Sequence, residues 1–347
     1  MIKTAIIGCG YWGRLLIRSI AQQPDYHIRY FCDIDPNRLA QLKKNYGYVN
    51  MTTELHSILT DVAVDAVVIA TPVHSHYEIA KACLEAGKHI LIEQPMAVRR
   101  IHCDELIQLA ARKNLAIMVD HIDEYNTSLN SLNRLIQSES LGDLRYMYAQ
   151  RLNLGESSFG PGVLMELASH EIYFGLNILG LKPFRVSSKG LNLLSPQIED
   201  VSFTTIDFDN GVTFNIHTSW LDPNKVRRLT VVGSDKMAIH DDVSTDAKLT
   251  IYNRQADLCS GNSDFAGQES DSFEHFRLAV RTGDVLIPKI DTVEPLRLLC
   301  EDFATCIGSG AVPRSDGLKA SKVVSLLEAA RQSMRMDGTP VELKEWN

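Results

Sequence analysis

Apolar residues recur along this chain in two rhythms. In the first third, short runs in which most positions are apolar occur at Lys3 to Ile7, His27 to Cys32, Ala66 to Ile69, His89 to Ile92 and Leu115 to Val119. Strands buried on both faces have this pattern. Between the runs, apolar side chains return every three to four residues: Leu15, Leu16 and Ile20 after Gly13, then Pro36 to Tyr46, Ser75 to Ala86 closed by Gly87, and Ile101 to Arg112. Strands alternating with helices build a parallel sheet covered on both sides.

After Val119 the alternation stops. A helical pattern with Leu129, Leu132, Leu135 and Ile136 leads through Gly142 into a strand, Leu144 to Leu152, and a second helix is expected over Val163 to Leu179. From Val186 onward the pattern is sheet-like. Val201 to Phe208 and Val212 to Trp220 flank Asp209-Asn210-Gly211, a strong hairpin signal, and further strands are expected at Leu229 to Val232 and Leu249 to Tyr252. Ser260 to Ser272 reads as a loop and Leu318 to Met334 as a final helix packing back on the body. The predicted fold is a two-domain α/β protein, with a parallel-sheet domain over 1–120 and an α+β domain with an open, mainly antiparallel sheet over 121–347.

The turn after the first strand carries the first chemical signal. Gly8-Cys9-Gly10-Tyr11-Trp12-Gly13 stands between strand and helix, the arrangement that binds a dinucleotide. Gly8 permits the tight turn, Gly10 lets the backbone approach a pyrophosphate, and Gly13 lets helix and strand pack closely, with the helix N-terminus facing the phosphates. The second strand ends at Asp33, twenty residues after Gly13, where a carboxylate accepts ribose hydroxyl protons. Asp33 could instead cap the following helix, but Asp35 is better placed before Pro36. This is a Rossmann domain by pattern, and its carboxylate favours NAD over NADP. Tyr11, Trp12 and Arg38 join the cofactor candidates.

Two further strand ends carry unusual residues: Ala70-Thr71-Pro72 with His74 and His76, and Glu93-Gln94-Pro95-Met96. Ligands sit at such ends in parallel sheets. Proline there fixes the chain's exit and permits a cis bond. In the second domain, Glu166, His170, Tyr173 and Asn177 fall on one helical stripe, and neither lysine nor arginine occurs from Leu152 through Leu181. A stripe so poor in cations faces an interior cleft rather than solvent. The residues alone equally allow His170 and Tyr173 to be buried hydrogen-bonders, and a metal site from Glu166 and His170 lacks a third ligand.

Composition narrows the partners. The 347 residues are 45% hydrophobic and 22% charged, an ordinary globular balance. The formal charge of -8, with no basic run longer than Arg99-Arg100 or Arg227-Arg228, disfavours nucleic acid. No signal-peptide pattern and no membrane-length apolar stretch is visible. Seven scattered cysteines without a CxxC pair read as reduced side chains of a cytoplasmic protein, and no metal site is expected.

Ile7 to Gly13, Asp33, Ala70-Thr71-Pro72 with His76, Ala86-Gly87-Lys88-His89 and Glu93-Gln94-Pro95 together resemble the glucose-fructose oxidoreductase, inositol dehydrogenase and rhizopine catabolism (Gfo/Idh/MocA) family. His121 with Tyr125-Asn126, Ser169-His170-Glu171, and Ser219-Trp220-Leu221-Asp222-Pro223 through Val232-Gly233-Ser234 extend the resemblance over nearly the whole chain, the last stretch being most similar to members acting on nucleotide sugars. The resemblance implies a pyridine nucleotide at the junction of the two domains and hydride exchange with a sugar-like carbinol. Two departures stand out. The family's Glu-Lys-Pro reads Glu93-Gln94-Pro95, and its aspartate one turn before the histidine is Glu166. An amide at Gln94 shuttles no proton, so His170 is the first candidate acid or base, oriented by Glu166, with Tyr125, His121 and Tyr173 behind it. Cofactor contacts are expected from Gly8, Gly10, Gly13, Asp33, Thr71, Pro72, His76, Glu93 and Gln94. Gln94 also raises the alternative of a nucleotide-binding sensor or scaffold without turnover, and a NAD-dependent lyase or glycosidase is a third reading. The helix-poor second sheet suggests a homodimer or homotetramer.

Overall fold

The computed structural model describes residues 1–155, 160–194, 196–253, 255–258, 278–281, 283–291 and 293–343. The loop expected at Ser260 to Ser272 lies outside the described residues.

The first sheet is built from β1 (Ile2–Ile7), β2 (Tyr26–Cys32), β3 (Asn50–Thr52), β4 (Ala66–Ile69), β5 (His89–Ile92) and β6 (Ile117–Val119). Its spatial order is β3-β2-β1-β4-β5-β6 with every pairing parallel. All four residues of β4 are buried, as a strand covered on both faces requires. Helices α1 (Tyr11–Ala21), α2 (Pro36–Lys43), α3 (Leu55–Thr60), α4 (His76–Glu85) and α5 (Arg100–Lys113) make the crossovers. The short pair β3 and α3 escaped the sequence reading, because three and six residues are too few to display a period. Gly8 adopts φ +90°, a left-handed conformation open to glycine, and directs the chain from β1 into α1.

The chain continues through α6 (Thr127–Gln137) into β7 (Leu144–Leu154), and α7 (Ser169–Tyr173) is the middle of a longer helical segment. That segment was expected to be one regular helix over Val163 to Leu179. Instead α7 is flanked by wider π-type turns at Leu164–Ala168 and Phe174–Ile178. Such turns rotate the side chains beyond them relative to a regular helix. Of the stripe read from the sequence, Glu166 lies in the first wide turn, His170 and Tyr173 in α7, and Asn177 in the second wide turn.

The second sheet adds β8 (Pro183–Leu191), β9 (Val201–Phe208), β10 (Thr213–Ser219), β11 (Leu221–Gly233), β12 (Met237–Asp241) and β13 (Leu249–Tyr252). A separate two-stranded ribbon, β14 (Gln255–Leu258) with β15 (Leu278–Arg281), precedes the short edge strands β16 (Val285–Leu286) and β17 (Val341–Glu342). Among the described residues this sheet has nine strands in the order β16-β13-β12-β11-β7-β10-β9-β8-β17. Only the β7–β10 pairing is parallel. One face is packed with Met147, Ala149, Phe214 and Leu229 against α7, its flanking turns and the last helix. The other face carries exposed Tyr146, Tyr148 and Phe203.

Two C-terminal helices join these layers. The sequence reading missed α8 (Pro295–Ser309), whose Leu296, Leu299, Cys300 and Phe303 are buried against the core beside β2 and α1. The last helix, α9 (Gly317–Arg335), places Ala320 and Val324 in the core of the first sheet and Val323, Leu326 and Leu327 in that of the second. It is a shared wedge between the sheets.

The β1–α1 turn is the tightest joint near the glycine loop. A Cβ on Gly13 would lie 1.9 Å from the Gly8 carbonyl oxygen, a backbone atom with no freedom to retreat. Gly13→Ala is therefore expected to destabilise the protein by about 1–3 kcal/mol through overpacking. Calorimetry should show a lower melting temperature, and an unchanged one would mean that this turn opens freely.

Candidate active site

A cleft of about 760 Å³ runs across the C-terminal ends of β1, β4 and β5 and is closed on its far side by the helical segment of the second sheet. Gly8, Gly10, Tyr11 and Trp12 line one end, and Glu93, Gln94, Glu166 and His170 line the other.

At the first end the glycines are placed by close contacts. A Cβ on Gly8 would meet the Ala70 carbonyl oxygen at 2.5 Å, whereas one on Gly10 would meet only Arg38 Nη1, at 3.7 Å. Gly10 thus presents open backbone at the N-terminus of α1, where peptide N–H groups favour phosphate. Asp33 is buried, its Oδ2 accepting the Cys9 N–H at 2.7 Å and its Oδ1 the Asp35 N–H at 2.8 Å. Its second contact with Oδ2, Arg38 Nη1 at 3.4 Å, holds the guanidinium beside the carboxylate. Asp35 caps α2 by accepting the Asn37 N–H at 2.9 Å, which leaves Asp33 free of that duty. Tyr11 and Trp12 are exposed and form the aromatic rim. These residues fit a dinucleotide.

Thr71 and Pro72 lie on the cleft wall, and Ser75 Oγ donates to Thr71 Oγ1 at 2.8 Å. His76 lines the cleft too, yet it is buried, with Nδ1 3.0 Å from the Pro95 oxygen and Nε2 2.7 Å from the Thr71 oxygen. Burial pulls its pKa down to about 4, so it is a neutral brace between two strand exits. The Gln94–Pro95 peptide is cis. Glu93 is buried against Asp120, and removal from water pushes both carboxyls well up, so one proton is held between them. Glu93 Oε1, Gln94 Oε1 and Asp120 Oδ1 have no protein hydrogen-bond partner among the described residues. Polar atoms left in this state mark the place where a ligand completes the bonding.

His170 stands at the second end. Its Nδ1 is 2.8 Å from Asp123 Oδ2 and its Nε2 is 2.6 Å from Gln94 Nε2. The carboxylate accepts the Nδ1–H, which leaves Nε2 without a proton, and the Gln94 amide nitrogen, also 2.9 Å from Nδ1, sits beside both ring nitrogens. Burial, reinforced by Arg151, pulls the His170 pKa below its usual value, with Asp123 opposing. Burial alone would raise Asp123, but His170 and Arg151 outweigh it and hold the carboxyl at about 2. The imidazole is therefore neutral at pH 7 and tautomerically fixed.

Three sequence expectations change here. Glu166 was expected to orient His170; it opens onto the cleft, and the orienting carboxylate is Asp123. Tyr125 is not brought into the cleft: its hydroxyl donates to Asp302 at 2.7 Å beneath Arg314. Tyr173, in the same regular α7 as His170, faces inward, donating to Glu124 at 2.6 Å and stacking on buried His121. The missed residue, Asp123, sits in the short 3-10 turn Ile122–Tyr125 just beyond β6. Its signal was available, since acidic residues directly after a parallel strand occupy the ligand edge of the sheet. Among the described residues no cluster of metal-binding side chains occurs, the six described cysteines are free, and no helix is long and apolar enough to cross a membrane.

A glycine turn suited to a dinucleotide, facing an oriented imidazole across one cleft, defines an NAD(P)-dependent oxidoreductase. Residues 2–121 match the oxidoreductase family model with an NAD-binding Rossmann fold, and residues 129–239 match the GFO/IDH/MocA C-terminal domain. The chain belongs to the Gfo/Idh/MocA family. It is 25% identical to the UDP-N-acetylglucosamine 3-dehydrogenase of Acidithiobacillus ferrooxidans, over 82% of this chain and 88% of that protein. It is also 25% identical to the NADP-dependent scyllo-inositol 2-dehydrogenase IolW of Bacillus subtilis, over 96% and 94% of the two chains. GenD2 from gentamicin A biosynthesis, solved in complex with NAD, has the same fold, with a TM-score of 0.81 and 21% identity over 99% of this chain and 97% of that one.

The Asp33 geometry yields a cofactor test. A carboxylate here welcomes ribose hydroxyls and repels a 2′-phosphate, and it also neutralises Arg38. Asp33→Ser is expected to weaken NAD binding about tenfold, the loss of one charge-assisted hydrogen bond, while NADP binding tightens. Fluorescence titration of both nucleotides checks this, and a wild type that prefers NADP would refute the role given to Asp33.

Proposed function

We propose that this enzyme interconverts a secondary alcohol and a ketone on a sugar, cyclitol or nucleotide sugar, with NAD preferred and His170 exchanging the hydroxyl proton. The observation that carries this reading is the His170 imidazole, fixed by Asp123 and facing the cleft beside Gln94. A bound nicotinamide supplies or accepts the hydride. Gly8, Gly10, Asp33 and Thr71, which line the cleft, would hold the nucleotide in a domain spanning 1–120, and the domain spanning 121–347 would contact the substrate. His170 Nε2 takes the hydroxyl proton in oxidation and returns it in reduction, while Asp123 stabilises the imidazolium that forms. Gln94 has no titratable proton; its amide holds the substrate hydroxyl against Nε2. Glu166 accepts a hydrogen bond from a neighbouring substrate hydroxyl. Reduced, buried cysteines favour the cytoplasm as its location.

The open face of the second sheet supports pairing of two copies. Tyr146 and Tyr148 stack at 6.4 Å and Phe203 stacks on His217 at 4.4 Å, an aromatic surface that no helix covers among the described residues. Light scattering at micromolar concentration is expected to give at least a dimer, and Tyr148→Glu with Phe203→Glu is expected to dissociate it. A wild-type monomer contradicts this.

His170→Ala is expected to lower turnover by about 10²-fold or more, as loss of a general base does, with NAD affinity unchanged. In oxidation the neutral imidazole is the active form, so the acid limb of kcat/KM should fall below pH 6.5, in line with the lowered pKa. Asp123 raises the His170 pKa, so Asp123→Asn should move that limb to still lower pH and reduce the rate. A limb unmoved by Asp123→Asn would remove His170 from the chemistry. If no sugar alcohol turns over in the wild type but Gln94→Lys is active, the sensor reading replaces this one.

A further inference from the structure

Arg151 of β7 and Arg227 of β11 are directly opposed partners in the antiparallel pairing of the second sheet. Two like charges in that register repel each other and destabilise the sheet. Arg151 is compensated: its Nε lies 2.7 Å from Glu171 Oε1 within a largely buried ion pair. Arg227 has no such partner. Its Nη1 donates to the carbonyls of Leu152 and Val226, each at 2.9 Å, and its Nη2 donates to Asn153 Oδ1 at 2.7 Å. Among the described residues no carboxylate lies within 4.0 Å of it, and Glu171, Asp242 and Glu166 act on it only through space.

A guanidinium has five N–H donors. Three are occupied in Arg227, leaving the Nε–H and one Nη2–H. Nε and Nη2 are the side-on donors that grip an oxyanion, and the adjacent Arg228 uses the same two atoms on Asp241, at 3.2 and 2.8 Å. Arg227 lines a small cavity of about 20 Å³ with Arg151, Arg228 and His240 and with the carboxylates Asp123, Glu171 and Asp242. His170 forms a wall of both this cavity and the main cleft. The space admits one water-sized group, such as a single carboxylate or phosphate oxygen. A partly buried cation opposite a second cation is costly unless an anion completes it. Burial and Arg151 together pull the Arg227 pKa down to about 10, as expected of a charge lacking its counter-ion.

We propose that Arg227, positioned by Asn153, is a specificity subsite that receives an anionic substituent, a carboxylate or a phosphate, carried on the sugar-like substrate. This rests on the reading that the cleft takes a sugar. The test is calorimetric titration of the NAD-loaded full chain at low salt with D-glucuronate, D-galacturonate, D-glucose 1-phosphate, D-galactose 1-phosphate, D-glucose and D-galactose. At least one anionic sugar is expected to bind about tenfold or more tightly than its neutral counterpart, by the strength of a charge-assisted hydrogen-bond pair. Uronate against sugar phosphate distinguishes the two sources of charge. Arg227→Met should abolish the advantage and Arg227→Lys should retain part of it, while Arg185→Met, on a remote exposed strand, should leave it intact. Anionic sugars that bind no better than neutral ones in the wild type, or not at all, overturn the subsite without reference to any variant's folding. An advantage that survives in Arg227→Met with an unchanged circular dichroism spectrum also overturns it. Heat is read without turnover, so anion binding in the absence of hydride transfer counts against the proposed reaction alone.

Discussion

The 2.8 Å hydrogen bond between His170 Nδ1 and Asp123 Oδ2 links two parts of the molecule that have little else in common. Asp123 follows the last strand of the parallel sheet, and His170 belongs to the helix that packs on the antiparallel one. A carboxylate taken out of water at this depth is stable only if it is paired and hydrogen-bonded. Arg151 supplies a further positive charge to Asp123 while remaining bonded to Glu171. The imidazole orientation, the free acceptor at Nε2 and the contact with Gln94 all depend on that balance. A lysine at position 94 would add a cation beside an imidazole already under the influence of Arg151; the neutral amide avoids this repulsion.

The wider geometry that brings the two residues together is set by apolar packing. Helix α9 contributes to the cores of both sheets, and α8 is buried against the first sheet although it follows the second in the chain. Burial of this kind, at roughly 25 cal/mol per Å², is non-directional and tolerates many pairings. The charged groups select among them. Glu124 joins Tyr173 on one side to Arg314 and Lys319 on the other, so α9's N-terminal region is bonded to the same short turn that carries Asp123.

Electrostatic character is unevenly distributed along the cleft. At the dinucleotide end, Asp33 is satisfied by two backbone N–H groups and Arg38. At the other end, Glu93, Gln94 and Asp120 each have a buried side-chain oxygen without a protein partner among the described residues. Natural cores rarely tolerate such groups, and their presence beside His170 separates a bonded dinucleotide end from a region whose polar atoms are open to a ligand or water.

How much of this was legible in the sequence depended on distance along the chain. The glycine turn, Asp33, the alternation of the first sheet and the Asn210-Gly211 hairpin are local signals, each set by neighbours within one strand or turn. Those readings required no partner from elsewhere. His170 was legible as a site candidate only when the absence of cations on its helix was joined to the family resemblance. Its partner was not, because Asp123 lies 47 residues away and nothing in either segment encodes their meeting. Tyr125 and Tyr173 were drawn out of the cleft by Asp302 and Glu124, contacts that exist only after α8 and the turn beyond β6 have docked. The opposition of Arg151 and Arg227 likewise follows from strand register, which sheet pairing decides. The sequence by itself determined the Rossmann half and the chemical types available at the cleft; tertiary packing decided which of them meet, because side-chain pairing across elements depends on register and docking that local periodicity does not contain.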